Sequence, residues 1–242
     1  MTVEEFSNEF DVLYNNIMSN QAPGLNDYEK SVFLTKAQEE IVKNYFNPRG
    51  NKYQEGFDDS SKRQIDFSTL IKVVTLDTSS SVLGGTPIVR LDSRSSIYEL
   101  PSDVMFVLNE MCSSPNSDLG ISIMPLSNEE YTKLMMRPFK YPKKNQAWRL
   151  LNTAGTTPMI EIITLPNTTI DSYVMRYVKK PSPIILEDLA TYGVSINGED
   201  SKTECELDTI LHQEILQRAI ELAKIAYTGT GKEITELGIR TE

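Results

Sequence analysis

Residues Leu207 to Tyr227 (LDTILHQEILQRAIELAKIAY) hold neither Pro nor Gly and are rich in strong helix formers. At about 100° per residue, Leu207, Leu211, Ile215, Leu216, Ala219, Ile220, Leu222, Ala223, Ala226 and Tyr227 fill one continuous arc of roughly 200°. Gln213, Glu214, Gln217, Arg218, Glu221 and Lys224 share the remainder. The spacing predicts a helix about 31 Å long, with an apolar side about twice as wide as a surface helix needs. Such a helix must be covered from two directions. Either two elements of its own domain cover it, or one side meets a neighbouring subunit.

Upstream, Thr2 and Glu5 have capping-box spacing. Val3, Phe6, Phe10, Leu13, Tyr14, Ile17 and Met18 then recur at helical intervals, so a first helix is expected from Val3 to about Met18. Ala22-Pro23-Gly24 ends it. Asn26 and Glu29 start a second helix, apolar on one side through Tyr28, Val32, Leu34, Ala37, Ile41, Val42, Tyr45 and Phe46. Asn47-Pro48-Arg49-Gly50 stops it. Asn51 to Arg63 (NKYQEGFDDSSKR) reads as a linker or exposed loop.

Near Gln64 the pattern changes to short β-branched runs. Strands are expected at 68–76, 88–91, 97–100, 104–111, 121–124, 147–151, 159–165 and 172–179. Pro166-Asn167-Thr168 is read as the turn of a hairpin joining the last two. Ser127 and Glu130 form another capping box opening a short helix to Met136. Arg137 to Gln146 (RPFKYPKKNQ) is a basic loop punctuated by Pro. Pro181 and Pro183 end pairing, and residues 183–186 continue as an extended exit. The expected fold class is α+β: a helical bundle from the N- and C-terminal helices, with an inserted antiparallel β-sandwich or barrel-like module. The expected parts are 1–63 (helices and linker), 64–186 (β-rich module) and 187–242 (loop, long helix and tail).

A chain of 242 residues suffices for one large or two small domains. Its charge of −10 argues against broad nucleic-acid or anionic-membrane binding, since both call for a basic face. No apolar run approaches a membrane span, and the acidic MTVEEFSNEF start is unlike a signal peptide. Cys112 and Cys205 are the only cysteines, which is no disulfide framework and points to a reducing compartment. His212, the single histidine, falls within the apolar arc and lacks the companions of a zinc site. Gly229-Thr230-Gly231-Lys232 fails as a phosphate loop, because the positions that need Gly and Ser/Thr are Ala226 and Glu233. Asp58-Asp59 and Glu39-Glu40 lack calcium-loop spacing. Lys140, Lys143 and Lys144, and Lys179 with Lys180, are basic clusters near Tyr141, Trp148 and Tyr177. That combination serves single-stranded nucleic acid, or else a solvated rim or a contact for an acidic partner. No catalytic, cofactor-binding or metal-ligating residue is assigned, and no cofactor is expected.

Five stretches together resemble structural proteins of tailed bacteriophages, particularly the crAss-like phages. They are YEKSVFLTKAQEEIV (28–42), GFDDSSKR (56–63), EYTKLMMRPFKYPKKNQAWRL (130–150), YVMRYVKKPSPIIL (173–186) and the segment 206–227. They cover roughly half the chain and are packing and turn patterns. The helix–sheet–helix layout is also similar to the adaptor proteins that form a ring beneath the portal in short-tailed phages. The resemblance implies a non-enzymatic virion protein, assembled in the host cytoplasm. It would be a head-to-tail connector subunit in a homo-oligomeric ring, a dodecamer, that meets the portal and other tail or ring proteins. It places helices of the two chain ends in the ring wall and residues 228–242 in a tail that reaches a neighbour. DNA passes through without specific binding, and a negative lining repels its phosphates. Two other readings stay open. One is an auxiliary head or packaged protein of such a phage. The other is an enzyme or ligand-binding module with a site in the β region, where Arg176 and Tyr177 beside His212 are the residues to examine.

Overall fold

The long helix forms over Thr209–Thr228 (α5) in the computed structural model, which describes residues 1–17, 24–46, 61–78, 82–83, 86–92, 94–115 and 117–228. The other helices are α1 (Val3–Ile17), α2 (Asp27–Phe46), α3 (Ser61–Asp66) and α4 (Asn128–Met135). The strands are β1 (Ile71–Leu76), β2 (Val82–Leu83), β3 (Thr86–Pro87), β4 (Ser95–Glu99), β5 (Val104–Ser114), β6 (Ser117–Pro125), β7 (Gln146–Ala154), β8 (Thr157–Ile163) and β9 (Ser172–Lys179). The chain is α+β and divides into two compact units, residues 1–70 with 180–242, and residues 71–179. Most of the expected linker, including Asp58-Asp59, lies outside the described residues, and so do Gly229–Lys232 and the tail beyond 228.

In the helical unit α1 and α2 both pack on α5. Val3, Phe6, Phe10 and Tyr14 form the buried stripe of α1, and Leu34, Ala37, Ile41 and Val42 that of α2. Between them Leu211, Ile215, Leu216, Ala219, Ile220 and Ala223 of α5 are buried. Most of the arc of α5 is therefore covered within the chain, from two directions, as in the first of the two expected coverings. Its width alone gives no reason to place a neighbouring subunit there. The helix end departs from the regular wheel: Ala226 and Tyr227 are exposed and Ile225 is buried. Polar pairs clamp both sides. Gln213 Nε2 donates to Glu9 at 3.1 Å, and the Arg218 guanidinium donates to both Glu40 oxygens at 2.6 and 3.0 Å.

The extended exit after β9 lies along α2. Ser31, Thr35 and Gln38 share one face of that helix. Gln38 Nε2 donates to Ser182 O at 2.8 Å, Thr35 Oγ1 accepts from Ile184 N at 3.1 Å, and Ser31 Oγ accepts from Leu186 N at 3.0 Å. The segment's other edge pairs Ile185 with Thr203 through two backbone bonds of 3.1 Å. Its buried backbone groups are thus satisfied by a helix instead of a sheet. Lys30, also buried, is held by Asp11 at 2.7 Å and Asp27 at 3.2 Å.

In the β unit seven strands form one sheet in the order β1-β9-β5-β6-β7-β8-β4, with β2 and β3 as a separate pair. The antiparallel expectation needs correction: β6 and β7 run parallel. Parallel neighbours require a crossover, and α4 supplies it. Register shifts along β5 bend the sheet, and an isolated bridge between Thr78 and Tyr98 links its two edges. The inner face of this curl is a single core. Tyr98, Cys112, Ile121, Ala147, Ile160, Ile162, Tyr173, Met175 and Tyr177 reach it from six strands.

Two further expectations differ. Residues 88–91 form no strand, and the Leu91 N–H is taken at 2.9 Å by the buried Glu161 carboxylate. The Pro166-Asn167-Thr168 turn forms, with Asn167 at φ 67°, yet it does not make a hairpin. β8 sits between β7 and β4, while β9 sits between β1 and β5. β8 instead forms a hairpin with β7, closed by Gly155 (φ 62°) and Thr156, the backbone sign pattern of a II′ turn.

Candidate assembly interface

The crossover between the parallel strands carries the most prominent surface feature. Ser127 starts α4: its Oγ accepts the Glu130 N–H at 3.2 Å, and Glu130 Oε2 accepts the Ser127 N–H at 3.0 Å. Tyr131, Leu134 and Met135 then pack on Trp148, Leu150 and Ile163 of the outer sheet face. The Tyr131 and Trp148 rings meet edge-on at 6.4 Å. Past α4 two tight turns follow, closed by Arg137 N to Leu134 O and Lys140 N to Arg137 O, both 2.9 Å. Tyr141 then returns to the same outer cluster. Its ring lies 5.0 Å from the Arg94 guanidinium carbon. Arg94 forks onto Asp92, and Asp92 also accepts the Tyr131 hydroxyl at 3.2 Å.

Between these anchors Phe139 is fully exposed (101%) and Met136 nearly so (78%). A Phe wholly in solvent next to an exposed Met is the kind of apolar surface that marks contact with another macromolecule. Around it stand Arg137, Lys140, Lys143 and Lys144, none with an acidic partner within 4.0 Å among the described residues. Six of the chain's 24 Lys and Arg fall in residues 131–160 and none of its 34 Asp and Glu do, so the rest carries eighteen basic against 34 acidic side chains, a charge of −16. The knob is a cationic island on an anionic protein. Its base is electrostatically settled. The Arg94 guanidinium holds the Asp92 carboxyl below the usual carboxylate range. Burial, then the Asp92 charge, pushes the Tyr131 phenol up to about 12.

At the far end of β7 an open cleft of about 530 Å³ lies where the β7–β8 hairpin meets the sheet edges. Leu76, Leu100, Pro101 and Pro158 give it apolar walls, and Glu99 is an exposed acid there with no cationic partner within 4.0 Å among the described residues.

The residues singled out from sequence are mostly used internally. His212 is buried against Phe6, ring centroids 5.2 Å apart. Its Nδ1 lies 2.6 Å from the Met1 amine and its Nε2 3.0 Å from Leu207 O, so both nitrogens are occupied by packing partners. Burial, more than the nearby amine charge, lowers its proton affinity. Arg176 and Tyr177 face opposite sides of β9. Arg176 is exposed, while the buried Tyr177 donates to Asp103 at 2.9 Å, and Lys72 pairs with Asp103 at 2.7 Å. Burial raises the Cys112 thiol to about 12 and the Cys205 thiol to about 11. Lys180 pairs with Glu39 at 3.6 Å. Trp148 is buried and Tyr141 covered, so neither offers the stacking face that single-stranded nucleic acid needs. The residue that sequence reasoning passed over is Phe139. Its signal was an aromatic between Pro138 and Lys140 in a segment free of acids.

A family model described as phage tail ring protein 3/4 matches residues 1–234. The chain is 55% identical to "Ring protein 4/5" of Bacteroides phage crAss001 over 247 aligned positions, covering 100% of both proteins. It is 35% identical to "Ring protein 3" of the same phage over 234 positions, covering 94% of this chain and 97% of the relative. The chain belongs to the tail ring protein 3/4 family of crAss-like phages.

Proposed function

We propose that the chain is a non-enzymatic subunit of the head-to-tail connector, closing with copies of itself into a ring between portal and tail. The observation that carries this is the full-length 55% identity to a protein named as a ring protein. The ring is read as a dodecamer in register with the portal, with further tail or ring proteins stacked against it. The net charge of −10 supports passage of DNA without specific binding, because a negative lining repels phosphate. In this reading residues 1–63 and 187–242 form a helical bundle in the wall, and residues 64–186 a barrel-like module that meets neighbours. The chain is a virion component, and among the described residues no helix is long and apolar enough to cross a membrane.

Electron cryomicroscopy of intact particles, with native mass spectrometry of the released ring, tests the reading. The expected result is a closed ring of this chain directly between portal and tail. Density for the chain only inside the head would move it to the packaged or auxiliary class, and its absence from purified particles would remove a virion role.

A further inference from the structure

We propose that the knob of one copy, centred on Phe139 and Lys140, seats in the cleft beside Glu99 and Leu100 of the next copy and so joins like subunits head to tail. This rests on the reading of the chain as a ring subunit. A ring needs two different, mutually complementary patches on each subunit, because a self-complementary patch closes a pair and stops. The β unit carries such a pair. The knob is convex, cationic and tipped by an apolar ring; the cleft is concave, walled by Leu76, Leu100 and Pro158, and acidic at Glu99.

Their placement rules out closure within one chain. The knob leads into the first residue of β7, and the cleft is lined by the hairpin that follows its last. Gln146 and Ala154 are about 25 Å apart along an extended strand. Phe139, fully exposed, does not enter its own chain's cleft.

Energetics and charge favour the same occupant. The knob is held at both ends, by Leu134 and Met135 on one side and by Tyr141 beneath Arg94 on the other. Docking it therefore freezes little new freedom. Phe, Met and Arg, the types of Phe139, Met136 and Arg137, are enriched at protein–protein interfaces, and the lysines stand where a polar rim would. The cations Arg137, Lys140, Lys143 and Lys144, without an acidic partner among the described residues, fit a second copy of this chain, whose residues outside 131–160 carry −16. Phosphate is the other polyanion they could meet, but a nucleic acid long enough to be held there would also lie against the rest of the chain, whose −16 repels it.

The test places a photo-crosslinking benzoylphenylalanine at position 139 of the full chain. Light- and heavy-isotope copies are mixed, rings are assembled, and the adducts are mapped by mass spectrometry. The expected adduct joins position 139 of one copy to residues 99–102 or 156–158 of another. In parallel, Phe139→Asp should lower the fraction of chain in rings at least ten-fold. Lys140→Glu should lower it several-fold, and Glu99→Lys in the same chain should restore it. Unchanged thermal melts show that each variant folds. Adducts on DNA, on another protein, or elsewhere on this chain overturn the proposal. So do rings formed by Phe139→Asp at the wild-type level, which leave the ring reading intact. A wild-type chain that is not in a ring in particles removes the ring reading, and this contact with it.

Discussion

Thr35 Oγ1 holds both backbone polar atoms of Ile184, accepting its N–H at 3.1 Å and donating to its carbonyl at 3.3 Å, across 149 residues of chain. At Ile184 this hydroxyl stands in for a partner strand on the edge that faces α2. Thr35→Val keeps the shape and removes both bonds. A buried unsatisfied backbone group costs about 1–3 kcal/mol, so the variant should lose about that much in urea unfolding monitored by circular dichroism. Unchanged stability would mean that the exit segment is not bound to α2 in this way.

The covering of α5 makes a prediction about concentration. Ile215 is fully buried on α5, the helix on which α1 and α2 pack. Ile215→Ala should destabilise the dilute chain by about 2–5 kcal/mol, and the loss should be the same at every protein concentration. A melting temperature that rises with concentration in the wild type and not in the variant would place this face at a subunit contact.

The curled sheet holds a buried ion pair. Arg149 lies 3.3 Å from Glu110, their side chains 14% and 7% exposed, and the Tyr173 hydroxyl donates to the same carboxylate. Burial, then the Glu110 charge, raises the Tyr173 phenol, so it stays a donor at neutral pH. Arg149→Met strands the Glu110 charge and should cost about 3–5 kcal/mol. The double variant with Glu110→Gln should recover most of that loss, measured in the same denaturant series.

His212 predicts an acid limb of stability. Folding lowers its proton affinity, chiefly by burial. On acidification the unfolded chain therefore takes up the proton first, near its ordinary value of 6.5. The stabilising contribution is intact above that value and is lost as pH falls through it. The groups facing the ring are the Met1 amine, which opposes protonation, and Asp208 and Glu5, which favour it. His212→Gln should flatten the stability curve between about pH 7 and pH 5, read from thermal melts at fixed ionic strength. An unchanged slope would assign the acid limb to other groups.

Much was legible from local pattern. Capping boxes marked the starts of α1 at Thr2 and α4 at Ser127, and both boxes form. Periodicity placed α2 and α5 within a few residues, and the strand expected at 172–179 is β9, Ser172–Lys179. These signals are carried by neighbours along the chain, so no fold is needed to read them.

The sequence by itself determined the alternation of helical and extended segments, the acidic balance and the lack of acids around the 137–144 loop, because each is a property of adjacent residues. Only the tertiary structure decided which strand lies beside which, that α4 turns one pair parallel, that α5 is covered by its own α1 and α2, and that Trp148 is buried while Phe139 is exposed. The physical reason is that pairing and burial are set by surfaces meeting across long sequence separations. An apolar side chain has the same local pattern whether it faces a core or a partner.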